Sequence, residues 1–332
     1  MAKIVLGIGS SHGPQLEMPP ENWAEYGSKA FDQSNHWFGG QTYSYPDLLA
    51  ARAGDHFDKE CNEDTYRTRF NACQQAIAHL AQTLGQAAPD VCIMFGDDQH
   101  EAFGDDNMPS FAIYHGETVL DGLPPSGHRA NLGDARVANR PAGPMNHPTD
   151  ARLGEYLIES LIENEFDVTR TNKLPSQRDE AGAIGHAFYY IYRRLMDNRV
   201  ISNVPIMVNT YYPPNAPTAR RCYKFGQAVR QAIEAWDSTK RVAIFASGGL
   251  SHTVIEEDFD QEIIDGLKHD DVEKLTEYPD VRFRAGTSEI KNWVALGGAM
   301  SGTGLAMNLV DYVPCYRTAA GNGCAMGFAE WM

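Results

Sequence analysis

The chain has little positive charge, no paired-cysteine motif and no long apolar run, and each shortfall removes a class of function. Its 28 lysines and arginines stand against 44 acidic residues, for a formal net charge of -16. Nucleic-acid backbones are bound by clustered Lys and Arg, so this balance argues against such a partner. An anionic small substrate stays open, because salt screens distant charge and a few local arginines suffice. The six cysteines (Cys61, Cys73, Cys92, Cys222, Cys315, Cys324) form no CxxC pair and several sit in apolar runs. Reduced, mostly buried thiols in a reducing compartment are the expectation. No stretch approaches the roughly 20 apolar residues that span a bilayer. No basic segment followed by an apolar stretch marks a secretory signal. A cytoplasmic protein with no membrane partner is therefore expected. Repeats, low-complexity tracts and clean linkers are also missing, so residues 1–332 read as a single domain.

What the sequence does have is a histidine after each of three apolar strands. Lys3-Ile4-Val5-Leu6-Gly7-Ile8 runs into Gly9-Ser10-Ser11-His12-Gly13-Pro14. Asp90-Val91-Cys92-Ile93-Met94-Phe95 runs into Gly96-Asp97-Asp98-Gln99-His100-Glu101. Arg241-Val242-Ala243-Ile244-Phe245 runs into Ala246-Ser247-Gly248-Gly249-Leu250-Ser251-His252. A strand followed by a Gly/Ser turn delivers side chains to the carboxyl edge of a sheet, where α/β proteins bind ligands. One histidine so placed is ordinarily a packing or turn residue; three together point to a metal or acid–base site.

Apolar spacing predicts helices over about 65–85 and from Thr149 or Asp150 through Leu153, Leu157 and Leu161. Further helices are expected over 185–197, 218–235 and in two acidic stretches within 258–277. His79 lies off the first of these stripes and is expected at the surface. Strands are predicted at 109–114, 166–169 and 204–209, and residues 121–148 read as a long Pro/Gly/Asn-rich loop. The alternation implies an α/β fold, a central mostly parallel or mixed sheet covered by helices on both faces. Residues 15–60 read as an irregular aromatic-rich insertion carrying Trp23, Tyr26, Phe31, Trp37, Phe38, Tyr43 and Tyr45. It is either a packed surface loop or a lid over a planar ligand. Gly286-Thr287-Ser288-Glu289 opens a helix in which Glu289 shares a face with Trp293, four residues on. That carboxylate either complements the helix dipole or meets a cation, since burying it alone is costly.

Two histidines and one carboxylate form a set that suits non-haem Fe(II) in oxygen chemistry, and a similar set serves zinc hydrolysis. The order of these segments resembles the class III extradiol ring-cleavage dioxygenases, in particular the catalytic subunit of protocatechuate 4,5-dioxygenase. The resemblance runs through Gly-Ile-Gly-Ser-Ser-His12, Asp98–Phe103, Pro109–Ile113, His147-Pro148, Glu165-Phe166-Asp167, Val208–Pro214, Arg221-Cys222, Gly248–His252, Glu289…Trp293 and Ala320-Gly321-Asn322. It implies Fe(II) held by His12, a histidine after the second strand and Glu289, with His252 as the acid–base residue. It also implies O2 as co-substrate and a ring-opened product.

Two departures from the family pattern are visible. An ungapped match puts Gln99, not His100, at the second ligand position; a one-residue shift would bring His100 to the metal, and Gln99 or Asp98 is the alternative. His100 is preferred, because neutral imidazole is the better iron ligand. The family's further active-site histidine aligns near Ala181, and His186 either replaces it as a catalytic group or only packs. Trp37 and Tyr43 on the aromatic stretch, with His147 and Asn322 in matched segments, are the candidate substrate contacts. The expected substrate is a small catecholic aromatic acid, such as a protocatechuate, gallate, O-methylgallate or lignin-derived biphenyl catechol. Nothing here resembles the small helical subunit of the two-subunit members, so no such partner is expected; a homodimer stays open. The rival readings are a metal-dependent hydrolase and a non-enzymatic relative whose metal site has decayed.

Overall fold

Two apolar faces of one twisted sheet organise the molecule, as seen in a computed structural model that describes residues 1–122, 143–175 and 182–332. In chain order the first part comprises β1 (Lys3–Ser10), α1 (Trp23–Ser28), β2 (His36–Phe38), β3 (Gln41–Tyr43), α2 (Tyr45–Ala51), α3 (Glu63–Ala87) and β4 (Val91–Asp97). Then come β5 (Phe111–Tyr114), β6 (Thr118–Asp121), β7 (Met145–Pro148), α4 (Ala151–Glu163), β8 (Thr169–Thr171), α5 (His186–Tyr190) and β9 (Asn203–Val208). The last part holds α6 (Ala219–Ala235), β10 (Arg241–Ser247), β11 (His252–Val254), α7 (Glu257–His269), α8 (Val272–Thr276), α9 (Ile290–Met300), β12 (Met307–Tyr316) and β13 (Asn322–Trp331).

The centre of the sheet is the parallel run β1-β10-β4-β9. Antiparallel partners close it on each side: β13 on β1, and β5 on β9, with β8 parallel to β5 beyond. The sheet is thus mixed with a parallel core, as the strand–helix alternation predicts. Helices cover both faces. Ile93, Phe95, Val204, Ile206 and Val242 pack against α4, α6, α7 and α9, while Cys92, Met94, Ala243 and Phe245 face α3 and α5. In β1, Ile4 joins the first core but Leu6 and Ile8 join the second, although simple alternation puts all three on one face. The register against β10 shifts between Ile4 and Leu6, and one extra residue there reverses the facing of everything before it.

Several sequence expectations change in detail. The long C-terminal hairpin of β12 and β13 was not legible, yet β13 pairs with β12, β1 and β11. The stretch read as irregular at 15–60 contains α1, the β2–β3 hairpin and α2, each too short to show a period. The helix expected over 185–197 begins at His186 but widens to a π-helical turn over Ile191–Leu195. The loop read at 121–148 lies mostly outside the described residues, and its flanks pair as β6 and β7. The strand read at 166–169 forms at Thr169–Thr171. Among the described residues no helix is long and apolar enough to cross a membrane.

Candidate metal centre

Because β1, β10 and β4 are parallel neighbours, their carboxyl ends lie side by side. His12 follows β1 by two residues, Ser247 ends β10 and Asp97 ends β4. From above the edge come His186, the first residue of α5, and Glu289, at the junction of a 3-10 turn (Ala285–Glu289) with α9. One ligand atom each from His12, Asp97, His186 and Glu289 lies within 4.8 Å of the other three. His252, the first residue of β11, faces the same carboxylate from the far side.

Close approach of the backbone makes this convergence possible. A Cβ on Gly9 would sit 2.3 Å from Trp293 Cζ3, and Trp293 donates from its indole N–H to Gly248 O at 2.8 Å. The start of α9 is thereby held against the sheet edge, which carries Glu289 into the cluster. Likewise a Cβ on Gly286 would meet His252 Cδ2 at 2.2 Å, so only glycine lets the turn pass that ring.

The imidazoles share one orientation. His12 Nδ1 lies 2.9 Å from Ser247 Oγ, His186 Nδ1 2.8 Å from Glu101 Oε2, and His252 Nδ1 2.8 Å from Leu250 O. A carboxylate and a backbone carbonyl can only accept, so His186 and His252 carry their proton on Nδ1 and turn Nε2 toward the cluster. Nε2 of His12 is 3.2 Å from Glu289 Oε2, and Nε2 of His252 is 3.2 Å from Glu289 Oε1. Lone pairs aimed at a carboxylate repel it unless a cation, proton or metal, lies among them. Burial disfavours charge on both His12 and His252, but Glu289 outweighs it and raises both above the ordinary imidazole value. Burial would raise Glu289, yet His252 and His12 hold it well below the usual carboxylate range. Asp97, buried and beside Glu289, is pushed up to about 7. Nε2 of His12 is moreover buried with no hydrogen-bond partner of adequate geometry. Imidazole nitrogens and carboxylates converging around an unpartnered ring nitrogen form a donor set that fits a divalent transition metal.

A cavity of about 240 Å³ opens onto this cluster. It is lined by His12, His186, His252 and Glu289, by Gln99, and by Tyr26, Tyr189, Tyr190 and Tyr211, with Glu17 at its side. Burial pushes the phenols of Tyr190 and Tyr211 up to about 12, so at neutral pH they are hydrogen-bond donors.

Other sequence candidates lie elsewhere. His100 does not reach the cluster. Asp98 accepts from the backbone N–H groups of Ala102 and Phe103 and so tightens the turn, and His100 sits in it at φ 58°. Its ring stacks on Tyr212 at 3.7 Å, with Nε2 3.1 Å from Asp105. Gln99 does reach the site, its amide donating to Asp97 Oδ2 at 3.1 Å and to Glu289 Oε1 at 3.0 Å. Trp37 and Tyr43 stand on the β2–β3 hairpin and do not line the cavity; Tyr26 alone among the aromatics of that stretch does. His147 packs on Tyr192 beside Asp121, away from the cluster. Asn322 is buried and donates to Thr253 O, bracing β11 rather than lining the cavity. Ala181 lies outside the described residues. Sequence reasoning passed over Asp97 in favour of the residues after it, and gave no role to Glu101, Tyr189, Tyr190 or Tyr211, though it placed Tyr26 in the possible lid.

Over residues 57–323 the chain matches the family described as the catalytic LigB subunit of aromatic ring-opening dioxygenase. It belongs to that family. It is 32% identical over 165 residues to the gallate dioxygenase of Pseudomonas putida, covering 46% of each chain. It is 28% identical over 181 residues to a 2,3-dihydroxyphenylpropionate/2,3-dihydroxicinnamic acid 1,2-dioxygenase of Photorhabdus laumondii, covering 54% of this chain and 48% of that one. The chain thus spans about half the length of the curated relatives it matches. A crystal structure of an uncharacterised protein from Escherichia coli K12 aligns with a TM-score of 0.48 at 13% identity, over 77% of this chain and 91% of that one. The family's description is of aromatic ring opening, and the converging donor set of this chain could hold a metal ion.

Proposed function

We propose that this chain is a single catalytic domain that opens the ring of a catecholic aromatic acid beside its two hydroxyls, using Fe(II) and O2. The observation that carries the reading is Glu289, buried between the Nε2 atoms of His12 and His252 at the mouth of a tyrosine-lined cavity. His12 and Glu289 would hold the metal, Ser247 fixing the His12 ring from behind. Fe(II) bound there would supply a positive centre able to hold a deprotonated diol and dioxygen side by side.

His252 is the group that moves protons. Its Nδ1–H is committed to Leu250 O, so Nε2 is the basic atom. A proton accepted from a ring hydroxyl leaves an imidazolium 3.2 Å from Glu289, whose charge stabilises it. The same proton can later return to an oxygen of the opening ring. Tyr189, Tyr190 and Tyr211 form walls for a planar ring; the un-ionised phenol of Tyr211 can donate to its substituents, while the Tyr190 hydroxyl is engaged by Ser10 Oγ at 2.9 Å. Tyr26 closes one side, which supports the reading that the aromatic stretch serves where other members use a small helical subunit.

The test is anaerobic loading with Fe(II), mixing with a panel of catecholic acids, and exposure to air. Appearance of a yellow ring-opened product with oxygen consumption supports the proposal. A metal-dependent hydrolase would instead turn over ester or amide substrates without consuming oxygen.

A further inference from the structure

Resting on the metal-centre reading above, we propose that His186 is the third protein ligand of the metal, in place of any residue following β4. Glu101 is the positioning residue that aims it. The sequence around β4 offers Gln99 and His100 for this place, and the geometry favours neither. His100 is turned away onto Tyr212 and Asp105. Gln99 presents its amide nitrogen to Asp97 and Glu289, and an amide NH2 has no lone pair to give a metal. Its place in the site is that of a brace between two carboxylates.

His186 fills the vacated position from a different element. Its ring packs edge-on against His12, centroids 4.5 Å apart, and its Nε2 is 4.0 Å from Asp97 Oδ2. Glu101 holds it at two points: Oε1 accepts from the His186 backbone N–H at 3.1 Å and Oε2 from Nδ1 at 2.8 Å. This clamp fixes both the start of α5 and the tautomer, the arrangement in which an outer carboxylate orients a metal-bound imidazole. Gly185 makes room for it, since a Cβ there would lie 2.5 Å from Glu101 Oε2. The residue that orients the ligand therefore comes from the turn after β4, while the ligand itself comes from α5.

Anaerobic Co(II) titration of the full chain, read by visible absorption and by competition with a chelator, tests this without turnover. Wild type should bind one Co(II) with a defined spectrum. His186→Ala and His186→Gln should each weaken Co(II) by more than 100-fold and alter the spectrum, with circular dichroism unchanged. Glu101→Gln should keep the spectrum but weaken binding by about 10–100-fold, the usual cost of losing an outer-shell partner. Gln99→Ala, which removes a brace on Glu289, should keep the wild-type spectrum with at most the same outer-shell weakening, and His100→Ala should keep both spectrum and affinity. Wild-type affinity and spectrum in both His186 variants would overturn the proposal, as would loss of Co(II) in Gln99→Ala or His100→Ala. If wild type binds no Co(II), the metal-centre reading itself fails. If His12→Ala abolishes binding and the His186 variants do not, only the present assignment fails.

Discussion

Nε2 of His12 lies 3.2 Å from Oε2 of Glu289, with both side chains buried, one after the first strand and the other before the last helix. Neither atom makes a well-formed hydrogen bond to the other, and Ser247 holds the opposite nitrogen of the ring. Such a pair is stable only when a proton or a metal ion joins it.

Removing either member should remove the metal. His12→Ala and Glu289→Ala should bind Fe(II) or Co(II) more weakly than the roughly 10–100-fold loss seen for outer-shell changes. Metal analysis after gel filtration, with circular dichroism as the fold control, measures this; stoichiometric metal in either variant contradicts it.

A proton on His12 competes with the metal for one nitrogen, and a proton on the neighbouring His252 opposes the metal's charge, which sets a pH dependence. His12 and His252 are raised above 6.5, so the stability their charged forms give the metal-free protein is complete below pH 6.5. It is lost as pH rises through the raised values. Asp97 acts in the same direction, because a folded value of about 7 makes its ionisation increasingly unfavourable as pH approaches 7. Glu289, lowered, contributes stability above pH 4.5 that is lost only in stronger acid. The Tm of the metal-free protein should therefore fall from pH 6 to pH 8, while the Tm gain on adding metal grows over that range. A metal-induced gain that shrinks with rising pH would contradict the assignment.

His252→Ala should keep its metal and lose turnover. Loss of a general acid–base group costs about 10²–10⁴-fold in kcat. His252→Gln should behave alike, since an amide cannot cycle a proton. Loss of metal would make His252 a ligand, and near-normal kcat would make it a packing residue.

Gly9→Ala should destabilise the fold by about 1–3 kcal/mol through overpacking, because the new methyl would meet Trp293 at 2.3 Å while Gly248 O anchors the indole. Gly54→Ala, with no atom within 4 Å of the new Cβ, is the control and should change the urea midpoint little.

Tyr26→Ala should raise KM several-fold, since Tyr26 lines the cavity, whereas Trp37→Ala should leave KM near wild type. The reverse ranking in steady-state kinetics would restore the hairpin as the lid.

His12 and His252 were legible because each follows an apolar strand and a small-residue turn, a pattern that fixes where a side chain emerges. For Glu289 the helical spacing left a dipole role and a cation partner both open, and the resemblance alone singled it out. The turn after β4 was not legible. Chemistry favours His100 there, but the Asp98 cap and a positive φ at His100 decide which way the side chain faces, and neither has a sequence period. His186 and Glu101 meet only after the chain has built β5 through β8 between them. The C-terminal hairpin hid for another reason. Asn322-Gly323-Cys324-Ala325-Met326-Gly327 is poor in β-branched residues, and burial along all of β13 erases the polar alternation.

The proposed activity is insertion of dioxygen into a catecholic ring at this centre. The most direct measurement is turnover of a catecholic acid under 18O2 by the Fe(II)-loaded protein, with mass spectrometry of the product. Both labelled atoms should appear in one ring-opened molecule, with one O2 consumed per substrate. Ring-opened product without label, or no oxygen uptake with any catechol while Fe(II) is bound, would contradict it.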